Sequence, residues 1–156
     1  MTTIVEARTF NLAGDLTGQS YLALLNLARR TQSLVGLVLR EQLKFSAAAM
    51  QIVADLEPSL VEERLTDEWP GTRLFGSQAW YRLYRCDDHS LPILARAERL
   101  YGWLNPEFPE DLSCHLPTGE CWLMSVAHEQ QGRLELGSLD PSEIAELTGL
   151  GVNSRP

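Results

Sequence analysis

The sequence lacks an apolar run of about 18 residues, the length that a membrane-spanning helix needs, and it has only three cysteines. The first absence predicts no membrane span. The cysteines, at positions 86, 114 and 121, form an odd and sparse set, which predicts reduced thiols in a cytoplasmic protein rather than the disulfide framework of a secreted one. No repeat or long linker interrupts the sequence. We therefore expect a single compact domain over residues 1–156, with a frayed tail after about residue 149.

Positive charge is also scarce. The chain has 21 acidic and 13 basic residues, which gives a formal net charge of −8. The imbalance is greatest after Leu100, where Arg133 and Arg155 are the only basic residues. Because such a surface would repel a phosphate backbone, we expect no nucleic-acid partner and consider a basic protein the better match.

Motifs for metal binding, phosphate binding and nucleophilic catalysis are missing as well. The sequence contains no C-x-x-C, H-E-x-x-H, G-x-S-x-G or P-loop pattern. Cys114, His115 and Cys121 are close in sequence, but the predicted hairpin directs His115 to the face opposite the two thiols. We therefore predict no metal and no cofactor, and the missing motifs argue against an enzyme.

The patterns that are present predict an α+β fold, because helices and strands do not alternate regularly. Apolar runs predict strands at 34–39 and 79–86, and capped periodic segments predict helices near 20–30, 46–54, 90–104 and 141–147. A β-meander is predicted at 112–116, 121–128 and 133–136. We expect a mostly antiparallel sheet of about five strands, with helices packed on one face.

A further short helix is predicted at residues 59–65. Ser59 and Glu62 have the spacing of a capping box, and Leu60, Val61 and Leu65 give the segment an apolar side. Acidic residues cluster around this segment and the helix before it, and we hypothesise that they form one acidic face. The residues concerned are Asp55, Glu57, Glu62, Glu63, Asp67 and Glu68.

The best candidate for a site with acid and imidazole groups lies at one end of the meander. Glu110 and Asp111 begin its first strand, and His128 and Glu129 end the second, so a hairpin brings the four together. A carboxylate beside an imidazole suits acid–base chemistry. The same group equally suits structural hydrogen bonding or recognition of a partner.

Aromatic residues beside proline-containing turns are candidate anchors for a partner. Trp69 precedes Pro70, and Trp103 lies shortly before Pro106. The alternative is that both rings plug the edge of the core.

These observations favour a non-catalytic, acidic protein-binding module that recognises a basic partner, in the manner of bacterial inhibitors and immunity-type proteins. The predicted binding residues are Glu62, Glu63, Trp69, Trp103, Glu110, Asp111, His128 and Glu129. The alternative function is a small hydrolase that uses Asp111, His128 and Glu129.

Overall fold

A computed structural model describes residues 9–137, 139–149 and 154–155. The predicted frayed tail therefore lies mostly outside the described residues. These residues contain four helices, α1 (Gly18–Arg30), α2 (Ala47–Leu56), α3 (Ser90–Leu94) and α4 (Pro141–Gly149). The ten strands in the same ranges are β1 (Thr9–Leu12), β2 (Leu34–Arg40), β3 (Leu60–Thr66), β4 (Glu68–Trp69), β5 (Thr72–Arg73), β6 (Ala79–Arg85), β7 (Glu110–His115), β8 (Cys121–Val126), β9 (Gln131–Glu135) and β10 (Ser154–Arg155). None of the described helices is long and apolar enough to cross a membrane.

Eight strands form one antiparallel sheet in the order β10-β1-β9-β8-β7-β2-β6-β3, and β4 pairs with β5 in a separate hairpin. Buried residues of all four helices pack with the sheet face that carries Val35 and Leu37, which we call the helix face. The predicted α+β class, the antiparallel sheet and the C-terminal meander are confirmed. The main sheet has more strands than the five or so that the sequence indicated.

The central strand β2 is apolar along most of its length because both of its faces are covered. Val35 and Leu37 contact the helices, whereas Val38 packs on the opposite face with Trp69 and Tyr81. The β4–β5 hairpin therefore covers part of that second face, which we call the hairpin face. Gly36 is required on it, because a β-carbon there would lie only 2.2 Å from the Tyr81 hydroxyl.

The meander confirms one predicted pairing and corrects another. Cys114 lies opposite Leu123, as predicted. Cys121, however, lies opposite His115 instead of Leu116, because a bulge shifts the register between these two pairs. Cys114 is buried and Cys121 is partly exposed, and neither forms a disulfide.

The predicted helix at 59–65 is wrong, because residues 60–66 form the edge strand β3. Ser59 does not cap a helix there; its hydroxyl donates hydrogen bonds to the Asp87 carboxylate. Pairing with β6 supplies the backbone partners that an isolated helix of one or two turns could not secure. Tertiary context therefore overrides the local capping pattern.

The capping signals elsewhere have mixed outcomes. Ser46 caps α2 by accepting a hydrogen bond from the Ala49 amide at 3.2 Å, and Pro141 is the first residue of α4. The third helix is much shorter than the predicted 90–104 and ends at Leu94. Two short 3₁₀ turns follow it instead.

Candidate functional sites

Two carboxylates and an arginine form a buried charge cluster on the hairpin face. Glu110 lies opposite Val38 of β2, and a register shift follows it in the β2–β7 pairing. Asp111 lies within this irregularity and has a φ of 56°, a left-handed conformation that Asp tolerates better than most residues. Arg40 ends β2 on the same side of the sheet. The bulge thus places two consecutive carboxylates beside one guanidinium.

Every polar atom of the Asp111 carboxylate has a partner. Its Oδ1 accepts a hydrogen bond from the Ala127 amide at 2.9 Å, and its Oδ2 accepts one from the Trp69 indole at 3.3 Å. The Arg40 Nη2 atom lies 3.8 Å from the same Oδ2. The Arg40 guanidinium also lies over the Trp69 ring, 5.3 Å from its centroid. Asp111 therefore links the meander, the hairpin and β2.

Glu110 has a weaker set of partners. Its Oε1 lies 3.3 Å from Arg40 Nε, but the pair lacks hydrogen-bond geometry, so both atoms are buried without a hydrogen bond. Burial raises the pKa of Glu110 above its usual value, and the charge of Arg40 offsets part of that rise. Burial also raises the pKa of Asp111, although its two hydrogen bonds act in the opposite direction.

His128 and Glu129 complete the predicted group. Ligand atoms of Glu110, Asp111 and His128 all lie within 4.8 Å of one another, and His128 Nε2 lies 3.9 Å from Glu129 Oε1. The structure therefore brings together the residues that the meander pattern predicted. Unlike the two buried carboxylates, His128 and Glu129 are about half exposed.

The cluster can be assessed as a metal site and as a catalytic site. Two carboxylates and an imidazole are suitable ligands for a divalent cation, but Arg40 lies against both carboxylates and would repel that cation. Three surface cavities, of about 570, 540 and 390 Å³, are lined by other residues and do not open onto Glu110 or Asp111. The geometry fits a buried ion-pair network better than an open reaction site.

The two predicted aromatic anchors are buried. Trp69 lies under the hairpin, in the contacts described above. Trp103 has no exposed surface, and its indole donates a hydrogen bond to the Tyr21 hydroxyl at 2.8 Å within the main core. Both rings therefore fill the core, which is the alternative to the predicted role as anchors for a partner.

The predicted acidic face does not form a helical surface. Glu62 lies opposite Leu83 and Glu63 opposite Arg82, so the two side chains point to opposite faces of β3. Arg82 forms ion pairs with Glu63 and Glu57, and Arg96 forms one with Asp55. Three of the six predicted acids are therefore already paired, with two arginines between them.

An exposed aromatic that the sequence analysis missed lies at one end of the sheet. Phe75 is 87% exposed, in the loop between β5 and β6. The preceding residue, Leu74, donates its amide to the Asp67 carbonyl at 2.6 Å, which holds this loop against the β3–β4 turn. The sequence feature that could have pointed to Phe75 is an aromatic residue directly before Gly76 in a polar loop.

Three exposed carboxylates lie on the segments next to this loop. Glu41 follows β2 and Asp67 follows β3, and both strands end opposite Ala79 of β6. Glu68 comes next along the chain. We call Glu41, Asp67, Glu68 and Phe75 the Phe75 patch. Among the described residues, no arginine or lysine lies within ion-pair distance of these three carboxylates.

Comparisons with known proteins do not assign the chain to a group. No protein-family model matches it. No curated protein matches it significantly. No solved structure matches it significantly.

Proposed function

We propose that the chain is a non-catalytic module that recognises a basic protein through the Phe75 patch. The observation that carries the proposal is an aromatic ring with 87% of its surface exposed, on a loop next to carboxylates that form no ion pair with any described arginine or lysine. Exposed aromatic side chains become the energetic centre of many interfaces once a partner covers them. Carboxylates around such a ring raise the association rate of a basic partner and disfavour acidic ones.

The charges around the patch support a basic partner. Arg73 lies opposite Glu68 in the β4–β5 pair, and its guanidinium lies over the Phe75 ring, 5.8 Å from the centroid. The three carboxylates outnumber this one cation. The whole chain, at −8, adds a long-range field of the same sign.

The buried charge cluster supports the non-catalytic part of the proposal. Arg40 occupies the two carboxylates, and the Asp111 oxygens already accept hydrogen bonds from the hairpin and the meander. This network supports the hairpin from which the Phe75 loop extends. A cytoplasmic location is part of the proposal, since all three cysteines are free thiols.

Capture followed by identification tests the proposal. The wild-type chain and Phe75→Ala are immobilised, and proteins retained from a lysate of the native host at low salt are identified by mass spectrometry. We expect a basic protein that the wild type retains and the variant loses, because truncating a central aromatic commonly costs about 2 kcal/mol of binding energy or about 30-fold in affinity. The control Trp80→Ala removes an exposed ring outside the patch and should retain the partner.

The proposal would be contradicted if the wild type retained no basic protein, or if the wild type and Phe75→Ala retained it equally. The free energy of unfolding of Phe75→Ala should lie within about 0.5 kcal/mol of the wild-type value, since the Phe75 ring contributes little to the core. A loss of binding with unchanged stability therefore locates the interaction.

The gathering of Asp111, His128 and Glu129 favours one second candidate, a small hydrolase. In this account His128 takes a proton from water and Glu129 orients the imidazole, while the raised pKa of Asp111 suits a proton donor. A panel of ester, phosphoester and peptide substrates provides the test. Turnover that is lost in both His128→Gln and Asp111→Asn would support it, and no turnover by the wild type would reject it.

A further inference from the structure

Within the part of the chain that the structure describes, the edge strand β3 has a partner on one side alone. It is the last strand of the main sheet there and pairs only with β6, whereas β10 covers part of β1 at the other edge. Five consecutive residues, 61–65, are exposed. Alternate backbone amides and carbonyls of β3 therefore face away from β6, and such an edge is a template for another strand.

The side chains of β3 are chemically symmetric about Glu63. A bulge interrupts the β3–β6 register between Leu60 and Glu62, so the regular part of β3 begins at Glu62. In an antiparallel pair of two copies with the two-fold axis at Glu63, Glu62 lies opposite Arg64 of the other copy, and this contact occurs twice. Two opposite-charge pairs thus form in a single register, and such pairs stabilise neighbouring strands.

The one unfavourable pair in this register is weakened by a nearby arginine. Glu63 lies opposite its own copy, and like charges in that position destabilise a strand pair. Arg82, however, forms ion pairs with both Glu63 and Glu57, and its side chain is mostly buried on β6. Each Glu63 therefore enters the contact with an Arg82 guanidinium beside it, which it shares with Glu57.

The exposed apolar surface on the helix face follows the same symmetry. Leu65 is 41% exposed and lies opposite Trp80 of β6, which is 37% exposed. Val61 is 49% exposed. In the paired arrangement, Leu65 of each copy approaches the bulge of the other, where Val61 lies, so that part of this apolar surface is covered.

We propose that a second copy of this chain occupies the β3 edge, antiparallel and centred on Glu63, so that the two sheets become continuous. A second copy fits better than a basic segment, because the charges of Glu62 and Arg64 cancel and Glu63 is already paired with Arg82, which weakens the attraction of β3 for a basic segment. The inference is independent of the proposed function, since Asp67, Glu68 and Phe75 lie beyond the paired strand.

A charge-swap series tests the register. Molar mass is measured by analytical ultracentrifugation over a wide range of protein concentration, at a fixed salt near 0.15 M, where the Debye length is about 8 Å. The wild type should dimerise. Glu62→Arg and Arg64→Glu each create two like-charge pairs and should weaken the dimer by about tenfold or more. The double variant Glu62→Arg/Arg64→Glu recreates the opposite-charge pairs and should restore the dimer.

A cross-link provides the second measurement. Glu63→Cys should form a disulfide between two copies under mild oxidation, because residues on the two-fold axis of a strand pair have α-carbons about 4.5 to 5.5 Å apart. The wild type, with its own three thiols, is the control and should not cross-link.

Three results would overturn the proposal: a wild type that stays monomeric at every concentration, a folded double variant that does not recover the dimer, or Glu63→Cys that does not cross-link. Circular dichroism and the unfolding midpoint confirm that each variant is folded, so a misfolded variant is not mistaken for a monomeric one. Capture of a basic partner by a monomeric chain would leave the proposed function standing.

Discussion

The Trp69 indole donates a hydrogen bond to the Asp111 carboxylate at 3.3 Å, and this bond joins the β4–β5 hairpin to the first strand of the meander. The contact connects residues 42 positions apart in the chain. It holds in place the hairpin that leads into the Phe75 loop. The buried charge cluster is therefore the structural support of the proposed recognition surface.

Removing this bond should destabilise the fold. Trp69→Phe keeps an aromatic ring under the hairpin but leaves the buried Asp111 Oδ2 without its indole donor. A lost partner for a buried polar group costs about 1 to 3 kcal/mol, measurable by urea unfolding. Trp80→Phe is the matched control, because that ring is partly exposed, and it should change the stability by less than about 0.5 kcal/mol. Equal effects of the two substitutions would contradict the role of the bond.

The pH dependence of stability should reveal the buried carboxylate of Glu110. Its pKa is raised by burial, so its contribution to the free energy of unfolding is full below its unfolded pKa, near 4.5, and is lost as the pH rises through the folded value. Glu110→Gln removes this titration. Relative to the wild type, the variant should therefore become progressively more stable as the pH rises from about 4 to neutrality.

Asp87 provides the control for this titration, because its pKa is shifted in the opposite direction. Burial raises the pKa of Asp87, but hydrogen bonds from Ser90, Ser59 and His89 outweigh that effect and lower it. Its contribution is present above its unfolded pKa and is lost as the pH falls through the folded value, so the cost of Asp87→Asn should shrink in acid. Chemical denaturation at a series of pH values measures both variants. If the stability changes of Glu110→Gln and Asp87→Asn varied with pH in the same direction, the opposite pKa shifts assigned to the two carboxylates would be contradicted.

The core should depend strongly on the meander. Leu123 is fully buried opposite Cys114 and Leu134, and Leu123→Ala should lower the free energy of unfolding by about 2 to 5 kcal/mol. Leu22→Ala, on the exposed side of α1, should cost less than about 1 kcal/mol. Thermal or urea unfolding gives both values. A loss of unfolding free energy for Leu123→Ala as small as that for Leu22→Ala would contradict the burial of the Leu123 side chain in the core.

Local patterns predicted the parts of the fold in which neighbouring residues decide the structure. The apolar run of β2, the turn between β7 and β8, and the proline at the start of α4 all depend on a few adjacent positions. The grouping of Asp111 with His128 was also predictable, because one hairpin joins the ends of its own strands.

Long-range contacts account for what the sequence did not predict. The strand β3 has a helical capping pattern and becomes a strand only because β6 is available beside it. Arg40 and Trp69 reach the charge cluster from distant segments, so no spacing in the sequence places them beside Asp111. Phe75 was missed because apolar residues are ordinarily expected in the core, and only the structure shows its exposure.

The most direct test of the proposed function is the association rate constant of the captured basic partner, measured by stopped flow from about 0.01 M to about 1 M salt. Over this range the Debye length falls from about 30 Å to about 3 Å, so an electrostatically steered rate should fall steeply. Asp67→Lys/Glu68→Lys should lower the low-salt rate more than Glu98→Lys/Glu120→Lys, which makes the same change in net charge at exposed positions outside the patch. The account predicts this difference at low salt and its disappearance at high salt. Equal rates for the two double variants at low salt would show that net charge alone steers the partner and would contradict recognition through the Phe75 patch.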